Sequence, residues 1–127
     1  FKKEKKVGIV TANSRCLTEI YFNKVGWSTK CIPVAIVGIE KMLPRLSSLL
    51  KDSSEKSINE TEDALAELMV DFIKTNHDIG AILLECTNLP PYSYAIQKAV
   101  NLPIFDIVTL SKWGYSSVIS QKYYGYL

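Results

Sequence analysis

The chain has 127 residues, a length typical of one globular domain, and 47% of its residues are hydrophobic while 22% are charged. Fifteen Lys and Arg against thirteen Asp and Glu leave a net charge of +2. A balance this close to neutral indicates neither a nucleic-acid partner nor a membrane-surface partner. No apolar run approaches the roughly 18 residues of a membrane span. From the length and composition we predict one globular domain over residues 1–127.

Four short runs rich in Val and Ile predict strands that are buried on both faces, as in a parallel sheet covered by helices. These runs span residues 7–10, 32–37, 79–84 and 103–108.

Helical patterns lie between the strands, and they predict helices near residues 17–25, 41–50, 65–73, 89–100 and 110–124. Gly26 is the expected C-terminal cap of the first helix. A polar loop is expected over residues 51–59, where Ser57 and Glu60 fit a capping box for the helix that follows.

Strands that alternate with helices in this order predict a three-layer α/β/α sandwich of flavodoxin-like type, with a four-stranded parallel sheet. Sites in such folds lie at the carboxyl ends of the strands. The search for chemistry therefore narrows to the loops at residues 11–15, 38–41, 85–91 and 106–111.

Three cysteines, Cys16, Cys31 and Cys86, form no CxxC pair, and His77 is the one histidine of the sequence. This set does not complete a Cys/His metal site of ordinary spacing, so we predict no metal. The odd number of cysteines argues against a disulfide framework and favours a reducing, cytoplasmic setting. We expect Cys16 and Cys31 to be structural, with Cys31 in the core or at a sheet edge.

Cys86 is the strongest candidate for chemistry because it lies between the end of a strand and the start of a helix. Thr87 or Asn88 would cap that helix with a side-chain oxygen. The unpaired N–H groups and the helix dipole at such a position favour a thiolate, and they also form a seat for a substrate carboxylate.

Two carboxylates flank these loops. Glu85 alternates with Cys86 along the chain, so it is expected to point to the other side of the sheet and to brace loops by hydrogen bonding. Asp106 either orders the cleft or caps the final helix, and the sequence leaves both open.

The sequence also resembles a known family. Residues 84–92 read Leu-Glu-Cys-Thr-Asn-Leu-Pro-Pro-Tyr and residues 102–107 read Leu-Pro-Ile-Phe-Asp-Ile. Together they resemble the C-terminal lobe of the aspartate/glutamate racemase superfamily, and the resemblance extends over nearly the whole chain.

The resemblance implies a cofactor-independent enzyme with two similar lobes, whose two cysteines lie on opposite sides of the substrate α-carbon. One thiolate would remove the α-proton, and the other thiol would return a proton to the opposite face. Cys86 matches the catalytic cysteine of the second lobe, and Thr87 and Asn88 match its substrate-binding neighbours. Thr11 and Asn13 occupy a loop that lines the cleft in this family.

Family enzymes are longer and carry their other cysteine in a first lobe that has no counterpart here. We therefore expect one lobe of a racemase for a small amino acid or dicarboxylate, incomplete alone. It would pair through its aromatic tail, residues 113–127, with the missing N-terminal lobe or a second copy. Alternatives are a maleate isomerase-like or hydantoin racemase-like enzyme, or a non-catalytic ligand-binding module.

Overall fold

A computed structural model describes residues 5–42, residue 44 and residues 54–125. Four parallel strands form one sheet in the order β2-β1-β3-β4. The strands are β1 (Lys6–Thr11), β2 (Val34–Gly38), β3 (Ile79–Leu84) and β4 (Ile104–Phe105). The described helices are α1 (Glu19–Lys24), α2 (Glu55–Thr75), α3 (Ser93–Val100) and α4 (Ile107–Val118). Helices lie on both sides of the sheet, which confirms the predicted three-layer, flavodoxin-like class.

One side of the sheet, which we call the closed face, holds the main core. It is covered by α2 and α3, and its buried apolar side chains pack into one cluster. The cluster consists of Val10, Val37, Leu65, Met69, Phe72, Ile79, Ile82, Leu84, Leu89 and Ile96. Gly8 belongs to this face, because a Cβ built on it would lie 2.8 Å from Ile82 Cδ1. Glycine there lets β1 approach its neighbours closely.

The other side, the open face, carries the alternate strand residues together with α1 and α4. All twelve residues of α4 are described, and none of them is buried. The aromatic tail, residues 113–127, was expected to contact a missing lobe or a second copy of the chain. Its first part belongs to α4, whose apolar side chains are not buried in this structure. The predicted partners stay a prediction.

Helix α1 ends as predicted at Gly26, which adopts φ +89°. The Gly26 N–H donates to the carbonyl of Asn23, and the Trp27 N–H donates to the carbonyl of Phe22. The rings of Phe22 and Trp27 stack at 4.2 Å between centroids. This pattern of two bonds and one apolar contact is the Schellman motif, and it terminates the helix.

Several predicted boundaries are wrong. The Ser54 side chain accepts from the Ser57 N–H, so Ser54 caps α2 in place of the predicted Ser57–Glu60 box, and the helix takes up part of the predicted loop. The fourth strand stops at Phe105 because Asp106 starts α4. The predicted helix over residues 41–50 lies outside the described residues, apart from residues 41, 42 and 44.

None of the described helices combines the length and the hydrophobicity that a membrane span requires. The cytoplasmic location stays a prediction.

Candidate active site at the carboxyl edge of the sheet

Two strand-end loops meet at the carboxyl edge of the sheet through one pair of side chains. The Thr11 hydroxyl, after β1, donates to Glu85 Oε2, after β3, at 2.7 Å. The Glu85 N–H donates to the carbonyl of Val10 at 2.9 Å. Both Thr11 and Glu85 belong to the open face, as the alternation of the strands requires. The prediction that Glu85 braces loops by hydrogen bonding is therefore confirmed.

Glu85 borders two grooves. The larger groove, which we call the aromatic groove, has a volume of about 660 Å³ and runs between β3, β4 and α4. It is lined by Leu83, Leu84, Glu85, Thr87, Phe105, Asp106, Ile107, Thr109, Leu110 and Trp113. The smaller groove, the loop groove, has a volume of about 290 Å³. It is lined by Thr11, Ala12, Asn13, Cys16, Leu17, Tyr21 and Glu85.

The predicted site residues divide between these grooves. Thr11 and Asn13 line the loop groove, and the Asn13 side-chain oxygen accepts from the Arg15 N–H at 3.0 Å within its own turn. Thr87 lines the aromatic groove, whereas Asn88 is exposed and lines neither groove. The structure therefore brings the candidates to one edge of the sheet without gathering them in one cavity.

Cys86 is half-buried and packs against the core of the closed face. Its carbonyl accepts from the Leu89 N–H at 3.1 Å, which closes a tight turn directly after β3. Cys86 and Glu85 therefore point to opposite sides of the sheet, as predicted. Its chain neighbours Glu85 and Thr87 line the aromatic groove, whereas the Cys86 side chain lines neither groove.

The predicted capping by Thr87 or Asn88 is wrong. Residues Pro90–Tyr92 form a 3₁₀ turn, and α3 starts at Ser93 without a side-chain cap. The two prolines lack N–H donors and occupy this extra turn, which moves the helix start away from Cys86. A helix dipole acts mainly within its first turn, so this argument for a thiolate at Cys86 is weaker than the sequence suggested.

Asp106 fulfils both roles that the sequence left open, because it caps a helix and lines the aromatic groove. Its Oδ1 accepts from the Thr109 N–H and its Oδ2 accepts from the Ser93 hydroxyl, each at 2.7 Å. The Thr109 hydroxyl accepts from the Asp106 N–H, which completes a capping box. Burial acts to raise the pKa of Asp106, but the bonds from Ser93 and Thr109 outweigh it, and the pKa is lowered from 3.8.

A further carboxylate, Glu40, holds the loop after β1 to the loop after β2. It accepts a short hydrogen bond from the Ser14 hydroxyl, and its carboxylate lies over Gly38 in space that a Cβ would fill. The Ser14 bond lowers the pKa of Glu40 from 4.5. The bond between Ser14 and Glu40 therefore holds together the loops that follow β1 and β2.

The remaining cysteines both lie at the surface. Cys16 is exposed in the loop groove, and Cys31 is exposed in a turn before β2, where its sulfur accepts from the Ser28 hydroxyl at 3.5 Å. Neither is buried in the core. Cys31 lies just before the edge strand β2, within the range that the sequence predicted, and the structural role expected of Cys16 stays a prediction. Within the described ranges, no group of three or more His, Cys, Asp or Glu side chains converges to hold a metal ion.

Sequence reasoning missed Phe105 and Trp113, the two aromatic walls of the larger groove. Phe105 pairs in register with Leu83 and therefore shares the open face with it. Strand alternation was the available signal for Phe105, whereas the position of Trp113 depends on how α4 leaves the sheet.

No known family profile and no solved structure matches the chain. Among curated proteins, dimethylsulfoniopropionate lyase 6 of Emiliania huxleyi (strain CCMP1516) is 33% identical over 89 residues, covering 70% of this chain and 19% of that enzyme. Dimethylsulfoniopropionate lyase 3 of the same organism is 32% identical over 89 residues, with the same two coverages of 70% and 19%. A dimethylsulfoniopropionate lyase of Durusdinium sp. clade D is 27% identical over 112 residues, covering 81% of this chain and 35% of that enzyme.

These relatives correct the sequence-based assignment. They are named lyases, so the assignment to the aspartate/glutamate racemases and the predicted racemase activity are wrong. The isomerase-like, hydantoin racemase-like and non-catalytic alternatives gain no support. Residues 84–92 mark a strand-end turn of this fold, and a fold motif does not by itself fix the reaction. The similarity points to an enzyme, and to a lyase rather than an isomerase.

Proposed function

We propose that this chain forms part of the active site of a lyase acting on dimethylsulfoniopropionate or a closely similar sulfonium carboxylate. The observation that carries the proposal is the similarity to lyases of that name, which covers 70% of this chain. The chain spans 19% of the length of those two enzymes, so the activity of the whole protein is part of the proposal.

The substrate class fixes the chemistry. A base removes a proton from the carbon next to the carboxylate, and the freed electron pair forms a carbon–carbon double bond. The neighbouring carbon–sulfur bond breaks, and its electron pair leaves with sulfur as neutral dimethyl sulfide. The other product is acrylate, and the base keeps the proton. No oxidant or reductant enters this balance, in keeping with the predicted absence of a cofactor.

Cys86 is our candidate for the base, in the thiolate form. It lies in the turn between Glu85 and Thr87, the two residues of that turn that line the aromatic groove, and its half-buried side chain would have to turn from the closed-face core toward the substrate. Within the described part of the chain, no acceptor pairs with the backbone N–H groups of Thr87 and Asn88, and both residues are exposed. These N–H groups are suited to the substrate carboxylate and to the charge that develops on it during proton removal. Thr11 and Asn13 remain candidates for the rim of the site.

The change of reaction alters what the fold must supply. Racemisation needs an acid and a base on opposite faces of one carbon, which one strand-end turn cannot provide. Elimination needs one base and room for a leaving group. One lobe can therefore carry the proton transfer, and the need for a second cysteine disappears.

The test measures dimethyl sulfide by headspace gas chromatography and acrylate by liquid chromatography, with the full-length protein. We expect Cys86→Ser to lower the rate about 100-fold or more, the usual contribution of a general base. Cys31→Ser is the matched control, because this exposed thiol lies in the turn before β2, away from the carboxyl edge. An unchanged rate in Cys86→Ser would remove Cys86 from the mechanism. Absence of both products, together with no saturable binding of dimethylsulfoniopropionate, would overturn the proposed function.

A further inference from the structure

The aromatic groove presents two large rings to solvent. Phe105 is 54% exposed and Trp113 is 70% exposed, although both line the groove. Leu83 and Leu110 add aliphatic walls, so most of the surface is apolar. A cavity of this size and character, with a few polar groups at fixed positions, is typical of a small-molecule site.

The charge of this groove is unusual for an apolar surface. Among the residues that the structure describes, two carboxylates, Glu85 and Asp106, line it, and no Lys, Arg or His side chain does. Asp106 is 5% exposed, and both of its oxygens accept hydrogen bonds from neutral donors. Its lowered pKa keeps it ionised at neutral pH.

Glu85 is the more accessible of the two carboxylates. Its Oε2 accepts from the Thr11 hydroxyl, whereas within the described part of the chain Oε1 has no hydrogen-bond partner. Neither Glu85 nor Asp106 forms an ion pair with a described basic side chain. The groove therefore carries uncompensated negative charge beside aromatic faces.

We propose that the aromatic groove binds the dimethylsulfonio head of the substrate; the identity of the ligand rests on the proposed function. A sulfonium cation has no N–H or O–H donor, so it gains from charge and from contact with ring faces rather than from hydrogen bonds. Phe105 and Trp113 supply the faces, and Glu85 supplies the charge. Thr87 lies at the same groove, which places the carboxylate end of the substrate at the turn of Cys86.

A purely apolar occupant fits this groove less well. A second copy of the chain docked here by an apolar surface would withdraw the exposed Glu85 from water without compensating its charge, which is costly. A dicarboxylate would meet two like charges. A small organic cation satisfies both the rings and the carboxylates.

The probe is trimethylsulfonium, followed by NMR through the indole N–H signals. Trp113 lies in the groove, whereas Trp27 stacks on Phe22 and serves as an internal reference. We expect saturable shifts at Trp113 and none at Trp27, and no such shifts with tert-butanol, a neutral compound of similar size. Trp113→Leu should weaken binding about 3- to 30-fold, the range expected for a lost cation–π contact.

Tyr115→Leu is the matched control, since Tyr115 is exposed on the same helix and does not line the groove. The affinity of Tyr115→Leu for trimethylsulfonium should stay within twofold of that of the unsubstituted protein. Glu85→Gln should weaken the binding of trimethylsulfonium by several fold. Unchanged affinity in both Trp113→Leu and Glu85→Gln would overturn the inference. So would a concentration-dependent dimer that buries Trp113 and ignores the cation. Because the NMR titration measures binding without turnover, it tests the proposed cation site separately from the proposed lyase reaction.

Discussion

The closed and open faces of the sheet are built from the same strands but have opposite surroundings. On the closed face, Leu65 of α2 is 1% exposed within a continuous apolar cluster. On the open face, Leu110 of α4 is 58% exposed beside a groove. Burial of apolar surface is the main stabilising contribution to folding. The closed face therefore stabilises the fold, while the open face keeps apolar and charged groups available for binding.

The largest expected difference between the faces is in the cost of removing a leucine. Leu65→Ala should lower the free energy of unfolding by about 2–5 kcal/mol, because it leaves a cavity in the packed cluster. Leu110→Ala should change it by less than about 0.5 kcal/mol, as is usual for exposed positions. Urea unfolding followed by circular dichroism measures both. Equal losses in the two variants would show that α4 contributes to the core.

Alanine substitutions at two glycines give a second comparison of the faces. Their expected effects on stability are smaller than that of Leu65→Ala and opposite in sign to each other. Gly8→Ala should cost about 1–3 kcal/mol, because the new methyl group meets Ile82, Phe72 and Ile79 in a packed core. Gly114 lies within α4, and a Cβ built on it would meet no other part of the protein within 4 Å. Gly114→Ala should therefore raise the free energy of unfolding by about 0.5–1 kcal/mol, because alanine has the higher helix propensity. Thermal melts of the two single variants give the signs directly. Stabilisation by Gly8→Ala would contradict the tight packing of the closed face.

Asp106 joins the two faces, and its effect is expected to be the smallest. Asp106→Asn should cost about 1 kcal/mol at neutral pH, since it removes the charged acceptor of two hydrogen bonds. The folded-state pKa lies below the unfolded value of 3.8, so this contribution is present above pH 3.8 and fades as pH falls through the folded-state pKa. Melting curves of both proteins from neutral pH downward should therefore converge in acid. A constant gap across that range would rule out a charge effect.

The central part of the sheet was predictable from local patterns, and its boundaries were less so. The run at residues 79–84 coincides with β3, because an apolar strand buried on both faces has a distinct composition. Ile107 and Val108 extended the fourth predicted strand, since β-branched residues favour strands. The capping box between Asp106 and Thr109 overrides that preference and starts a helix instead.

The candidate site was predictable to the level of loops. Strand alternation placed Glu85 and Cys86 on opposite sides, and the carboxyl-edge rule brought Thr11 near Glu85. The aromatic groove was not predictable, because the approach of Trp113 to Phe105 depends on the angle of α4 against the sheet. The reaction was mispredicted because a resemblance carried by residues 84–92 and 102–107 was taken as evidence for a whole mechanism.

The bond between Thr11 and Glu85 also has a consequence for biosynthesis. Its two residues are 74 positions apart in the chain. At ribosomal rates of roughly 5–20 residues per second, about 4–15 s pass between the synthesis of Thr11 and that of Glu85. Throughout that interval β1 has left the peptidyl-transferase centre without β3, its central partner. The nascent chain must keep an apolar strand without this partner, and the contact between the two strand-end loops forms only after β3 has been made.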